Sequence, residues 1–122
     1  MVNPGSLNKR ALAYSGPDQK LLEDCLNGVE EGLRHLHSLG WVHNDLNPSN
    51  IMFDEDTRAL VIIDFDSCRP AGESLLGVGR TFGWYDVSVE TSVPRNDLDA
   101  LDEIREWLRD GGGSRKTFKF ED

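Results

Sequence analysis

Cysteine is scarce in this 122-residue chain. Only Cys25 and Cys68 occur, and they do not form a C-x-x-C pair. Two cysteines build no disulfide framework and no sulfur-rich metal site, which points to a reducing compartment. Long apolar runs are also lacking. The longest, Ala59 to Ile63, is far too short to cross a bilayer. The first residues, Met1-Val2-Asn3-Pro4-Gly5, lack the apolar stretch of a signal peptide. Positive charge is in deficit, with 13 basic against 22 acidic residues and a formal net charge of −9. With no basic stripe, nucleic acid and anionic membranes are not expected as partners. What remains is ordinary globular composition, 38% hydrophobic and 29% charged, enough for one domain or a piece of one. The chain is expected to be soluble, intracellular and cytoplasmic.

Two helices are legible. Leu21, Leu22, Cys25, Leu26, Val29, Leu33 and Leu36 recur at helical spacing. Pro17 suits a first helical position and Gly40 a left-handed stop, so the spacing predicts a helix over Pro17 to Leu39. Residues 1 to 16 read as an N-terminal loop or partial helix, with a turn at Leu7 to Tyr14. A second helix is expected over Asp97 to Arg109, capped by Asn96 or Asp97. Its apolar face is Leu98, Leu101, Ile104, Trp107 and Leu108. Gly111 to Gly113 ends it before a charged tail, 110–122, that carries Phe118 and Phe120. Between the helices, Trp41-Val42 is extended. Ile51 to Phe53 and Leu60 to Ile63 flank the turn formers Asp54-Glu55-Asp56-Thr57, which predicts a β-hairpin. Residues 67 to 95 are irregular and rich in glycine, a pattern that is often functional.

The densest chemistry lies in His43-Asn44-Asp45-Leu46-Asn47-Pro48-Ser49-Asn50 and Asp64-Phe65-Asp66. The hairpin places Asn50 just before one strand and Asp64 just after the other, at the same end. One amide oxygen and one carboxylate then converge, a set that suits magnesium held between protein and phosphates. Asp45 on the same loop can orient a hydroxyl nucleophile and accept its proton. His43 reads as a loop-holding group rather than an acid or base.

The run Leu36 to Ile51, centred on His43-Asn44-Asp45-Leu46-Asn47-Pro48-Ser49-Asn50, resembles the helix and H-R-D-L-x-x-x-N catalytic loop of eukaryotic protein kinases. Ile62-Ile63-Asp64-Phe65-Asp66 resembles the strand and D-F-G motif. Thr81-Phe82-Gly83-Trp84 resembles the late activation segment, and Asn96 to Leu101 the start of the central helix. Four motifs in order, over residues 17 to 109, identify a protein-kinase-like C-lobe, most similar in wording to kinase-like proteins of filamentous fungi. The resemblance implies an α+β, mainly α fold, with Mg2+ and ATP as cofactors and a protein Ser or Thr hydroxyl as acceptor. It implies that Asp45 is the catalytic base and that Asn50 and Asp64 are catalytic metal and nucleotide ligands. Thr81 would help position the base, and Asp97 would tie down the loop backbone.

The departures carry equal weight. Asn44 stands where the family has arginine, so a phosphorylated segment has no arginine there to pair with. Asn47 replaces the lysine that stabilises the transferred group. Asp66 replaces a glycine and offers a third carboxylate, a feature shared with aminoglycoside and choline kinases. Glu90 is the nearest match to the acid of A-P-E. No Gly-rich loop and no V-A-I-K lysine precede residue 17, so the chain alone is expected to be incompetent without an ATP-gripping lobe or partner protein. Three readings follow: a partial phosphotransferase domain acting on a protein or small molecule, a pseudokinase scaffold with an exposed apolar face, or a truncated product. Cys25 is expected in the core and Cys68 as an inert thiol. His35 and His37 are expected in structural roles, and Trp84 and Tyr85 in packing.

Overall fold

The computed structural model describes residues 17–54, 56, 57 and 59–109. The expected turn at Leu7 to Tyr14, the triple glycine and the Phe118 and Phe120 tail lie outside the described residues.

Helix α1, Pro17–Ser38, buries Leu26, Val29 and Leu33 completely or nearly so. It stops one residue earlier than the periodicity suggests. Leu39 turns out of the helix, and Gly40 takes φ +91°, with its N–H donating to the His37 carbonyl at 2.9 Å. That left-handed stop is what glycine supplies at low cost. Helix α2 is Pro94–Arg109 and begins three residues before the expected Asp97. Proline fits there because its missing N–H would have no helical partner. Asn96 and Asp97 therefore sit in the first turn, and their side chains bond to the loop 43–44 instead of capping.

Strand β1, Trp41–Val42, and strand β4, Arg69–Pro70, form one antiparallel pair. The hairpin pairs β2, Ile51–Asp54, with β3, Ala59–Ile62, in the register Ile51 opposite Ile62. A 3-10 turn, Pro48–Asn50, leads into β2. Residues 67–95 are not wholly irregular, since β4 closes on β1 and Ser74 bridges Thr91. The architecture is α+β with the two helices dominant, as expected.

The core lies where α1, α2 and the hairpin meet, built from Leu26, Leu33, Leu46, Ile51, Leu101, Ile104 and their neighbours. Each fully buried Leu or Ile side chain contributes ~1.5–3 kcal/mol. Cys25 packs at its edge, and Trp84 meets Trp107 edge-on at 5.8 Å. Arg105 of α2 reaches Glu30 of α1 at 3.0 Å. Arg34 first, then Arg105, holds the Glu30 carboxyl below its ordinary pKa. Leu39, Val61 and Phe65 remain exposed along a groove between α1 and β3. No helix among the described residues is long and apolar enough to cross a membrane.

Glu103 breaks the pattern. It is fully buried in α2, and among the described residues neither carboxylate oxygen has a hydrogen-bond partner. A buried polar group left unsatisfied costs about 1–3 kcal/mol, more when charged. Glu103→Met keeps the unbranched shape and removes the oxygens. It is expected to raise stability by about 1–3 kcal/mol in urea unfolding. A loss of stability would show that the carboxylate has a partner.

Candidate functional site

Strand β1 delivers the chain to residue 43, where the backbone is fastened from below. The fully buried Asp97 carboxylate of α2 accepts the His43 N–H on Oδ2 at 2.8 Å and the Asn44 N–H on Oδ1 at 2.9 Å. His37 of α1 donates from Nε2 to the same Oδ2 at 2.8 Å. One carboxylate thus joins both helices to the loop.

His43 is buried and braced on both ring nitrogens. Nδ1 accepts the Asp45 N–H at 3.1 Å, and Nε2 donates to the Ile63 carbonyl at 3.0 Å. Phe65 packs edge-on against the ring at 5.1 Å. The residue links the Asp45 loop to the strand that leads into Asp64.

Asp45 is half-buried and held mainly through one oxygen. Its Oδ1 accepts the Thr81 N–H at 2.8 Å and lies 3.3 Å from Asn47 Nδ2. Among the described residues its Oδ2 has only Asn50 Nδ2, at 3.4 Å, which is at the limit of a hydrogen bond. Oδ2 is therefore the less engaged of the two oxygens. Asn47 organises the surroundings. Its Nδ2 donates to the Asp45 carbonyl at 2.9 Å and to Thr81 Oγ1 at 3.1 Å, while its Oδ1 accepts the Ser49 N–H at 2.9 Å. The structure gives this asparagine a bracing role in place of a charge.

Asn50 and Asp64 flank the open end of the hairpin. The Ile63 N–H donates to the Asn50 carbonyl at 2.8 Å, one step beyond the last strand pair. Asn50 Nδ2 donates to the Asp45 carbonyl at 2.9 Å. That bond fixes the carboxamide so that its oxygen faces away from Asp45. Asp64 is exposed and takes φ +60°, a left-handed conformation in which Asp and Asn are enriched. Its Oδ1 accepts the Asp66 N–H at 3.3 Å, and Asp66 is exposed beside it.

Three groups have partners that sequence reasoning did not assign. Asn44 takes φ +72° and is buried, with its carboxamide bonded to Val42, Ser67, Ser92 and Asn96. The left-handed backbone was signalled only by its being asparagine. His37 was expected in a structural role, and no local signal named Asp97 as its partner. Arg80, next to Thr81, stacks 4.0 Å above the Tyr85 ring and donates to the Val89 carbonyl at 3.2 Å. Burial lowers its pKa, opposed by Tyr85 and by Asp45. Cys68 is a thiol held above its ordinary pKa by burial first and by Asp97 second, which suits an unreactive side chain. Glu90 is exposed, and its carbonyl accepts the Leu75 N–H at 2.8 Å.

The donor set fits magnesium better than a caged metal. Among the described residues no three His, Cys, Asp or Glu side chains converge. Asn50 and Asp64 supply oxygen only, and magnesium accepts one or two protein oxygens together with phosphates and water.

Comparison with known proteins agrees with this geometry. The family model described as Protein kinase domain matches residues 1–84. The chain is 42% identical over 57 residues to serine/threonine-protein kinase ELM1 of Saccharomyces cerevisiae, covering 47% of this chain and 8% of that protein. It is 41% identical over 71 residues to mitogen-activated protein kinase p38b of Drosophila melanogaster, covering 55% and 19%. The chain therefore spans under a fifth of either relative. Among solved structures, the Cydia pomonella granulovirus kinase PK-1 superposes with TM-score 0.74 at 18% identity, covering 88% of this chain and 40% of that one.

Proposed function

The chain belongs to the protein kinase domain family, and from that premise we propose that it carries the catalytic loop and metal-binding segment of a magnesium- and ATP-dependent phosphotransferase. The observation that carries the reading is the state of Asp45. Its Oδ1 is held by Thr81 and Asn47 while Oδ2 carries only a 3.4 Å contact to Asn50 among the described residues, which leaves an oxygen for a general base to use.

In this reading Asp45 Oδ2 orients the acceptor hydroxyl and takes its proton. Thr81 and Asn47 keep the carboxylate from turning, and His43 holds the Asp45 backbone N–H. Asn50 Oδ1 and the Asp64 carboxylate hold magnesium. When bound, magnesium neutralises phosphate charge and aligns the transferred group. Asp66 stands next to that pair as a further oxygen donor. The acceptor is a protein Ser or Thr hydroxyl, and the setting is cytoplasmic, in keeping with two free cysteines.

The scaffold reading draws on one specific observation, the neutral Asn47 at the site. Its Nδ2 is spent on Asp45 and Thr81, so no lysine charge assists transfer from that position.

Phosphate transfer separates the two readings, and binding at the metal pair tests the magnesium assignment that both share. With Mn2+-ATP added to the full chain, the Asn50 and Asp64 amide signals are expected to broaden selectively in NMR spectra. Affinity from this chain alone is expected to be weak. Asp64→Ala is expected to weaken it at least about tenfold, about 1.4 kcal/mol. Broadening centred elsewhere, or unchanged by the substitution, would sink the magnesium assignment.

A further inference from the structure

Asn44 sits beside the base, yet its carboxamide points away from it. Nδ2 lies 3.1 Å from the Val42 carbonyl, 3.2 Å from the Ser67 carbonyl and 3.0 Å from Ser92 Oγ. Oδ1 accepts from Asn96 Nδ2 at 3.2 Å. Two amide hydrogens serve three acceptors, so one bond is shared. The side chain is 3% exposed, Ser67 is 5% and Ser92 is 0%.

The placement of those partners is informative. Ser67 opens the excursion that follows Asp64-Phe65-Asp66, and Ser92 closes it just before α2. Between them lies Thr81, whose N–H holds Asp45 Oδ1. Ser92 is itself a junction. Its Oγ reaches the Arg69 carbonyl at 3.3 Å, its N–H donates to the Glu73 carbonyl at 2.7 Å, and its carbonyl accepts the Gly72 N–H at 2.6 Å. Asn96 also donates to the Thr91 carbonyl at 2.9 Å. One neutral side chain therefore fastens both ends of the segment that positions the base.

We propose that Asn44 is a positioning residue whose carboxamide latches residues 67–92 onto the Asp45 loop by neutral hydrogen bonds, so that the segment reaches its working geometry with no phosphate on it. The proposal deepens the phosphotransferase reading and rests on it for its functional meaning. The physical reason is satisfaction of polar groups. The Val42 and Ser67 carbonyls and Ser92 Oγ belong to buried residues, while Asn96 is half-buried, so each unmade bond to the first three leaves a buried group unpaired. A phosphate is not needed where neutral bonds already close the segment.

The left-handed backbone at residue 44 needs separating from the carboxamide. Glycine tolerates that conformation without strain, so Asn44→Gly removes the latch and keeps the turn. Ser92→Ala removes one acceptor and leaves Asn44 intact.

The test is amide hydrogen exchange on the unphosphorylated full chain, its mass confirmed. The Thr81 N–H is expected to be protected without modification. In Asn44→Gly its protection is expected to fall at least about tenfold, with a smaller fall in Ser92→Ala, while Ile104 in the core keeps its protection. A merely structural role would lower both amides together. A Thr81 amide unprotected in the unmodified chain, or unchanged in Asn44→Gly, would overturn the latch. Failure of the phosphotransferase reading would appear instead as absent Mn2+-ATP broadening at Asn50 and Asp64, with the exchange pattern intact.

Discussion

Asp97→Ala is expected to lower the stability of the chain by about 3–5 kcal/mol, the cost of breaking a buried charged network by removing one partner. The carboxylate is fully buried and holds three donors: the His43 and Asn44 N–H groups and His37 Nε2. Alanine leaves two buried backbone donors and an imidazole unpaired, and each carries its own desolvation penalty. Domains of this size have only ~5–15 kcal/mol in hand, so much of the population would unfold under mild denaturant. Asp97→Asn keeps one accepting oxygen but turns an NH2 toward donors, and is expected to fall between wild type and alanine. Urea unfolding followed by circular dichroism measures both. A loss below about 1 kcal/mol for alanine would show that the loop is held by other means.

That junction shows what the sequence revealed and what it hid. The α1 helix was legible because Leu26, Val29 and Leu33 repeat at helical spacing around one buried stripe. The hairpin was legible because two apolar runs flank turn residues, and its register brings residues 50 and 64 to one end. The start of α2 was misread although Pro94 carried the same signal used at Pro17. The β1–β4 pair was hidden, since two-residue strands far apart in sequence leave no periodic trace. Asn44 read as a lost arginine, whereas its carboxamide proves to be fully employed. Glu103 carried no signal of its own among its apolar neighbours, and the packing of α2 buries it. In each hidden case the deciding partner lies distant along the chain, where local pattern does not reach.

The second large effect concerns Asp45. In the proposed mechanism its Oδ2 accepts the acceptor's proton, a role worth about 10²–10⁴-fold in rate. Asp45→Asn keeps the shape and still offers an oxygen to the Thr81 N–H, so the loop stays folded. The amide lacks the charge to take a proton. Nucleotide affinity is expected to stay near wild type, because Asn50 and Asp64 are untouched. The scaffold alternative predicts the same binding for both chains and no transfer from either.

The most direct measurement is the rate of phosphate transfer from γ-labelled ATP, with magnesium, to a serine- or threonine-containing peptide. It uses the longest native polypeptide that contains this chain, as wild type and as Asp45→Asn. The wild type is expected to transfer, and the variant to fall by about 10²–10⁴-fold with nucleotide affinity unchanged. Transfer by both at equal rates, or by neither, would contradict the role assigned to Asp45.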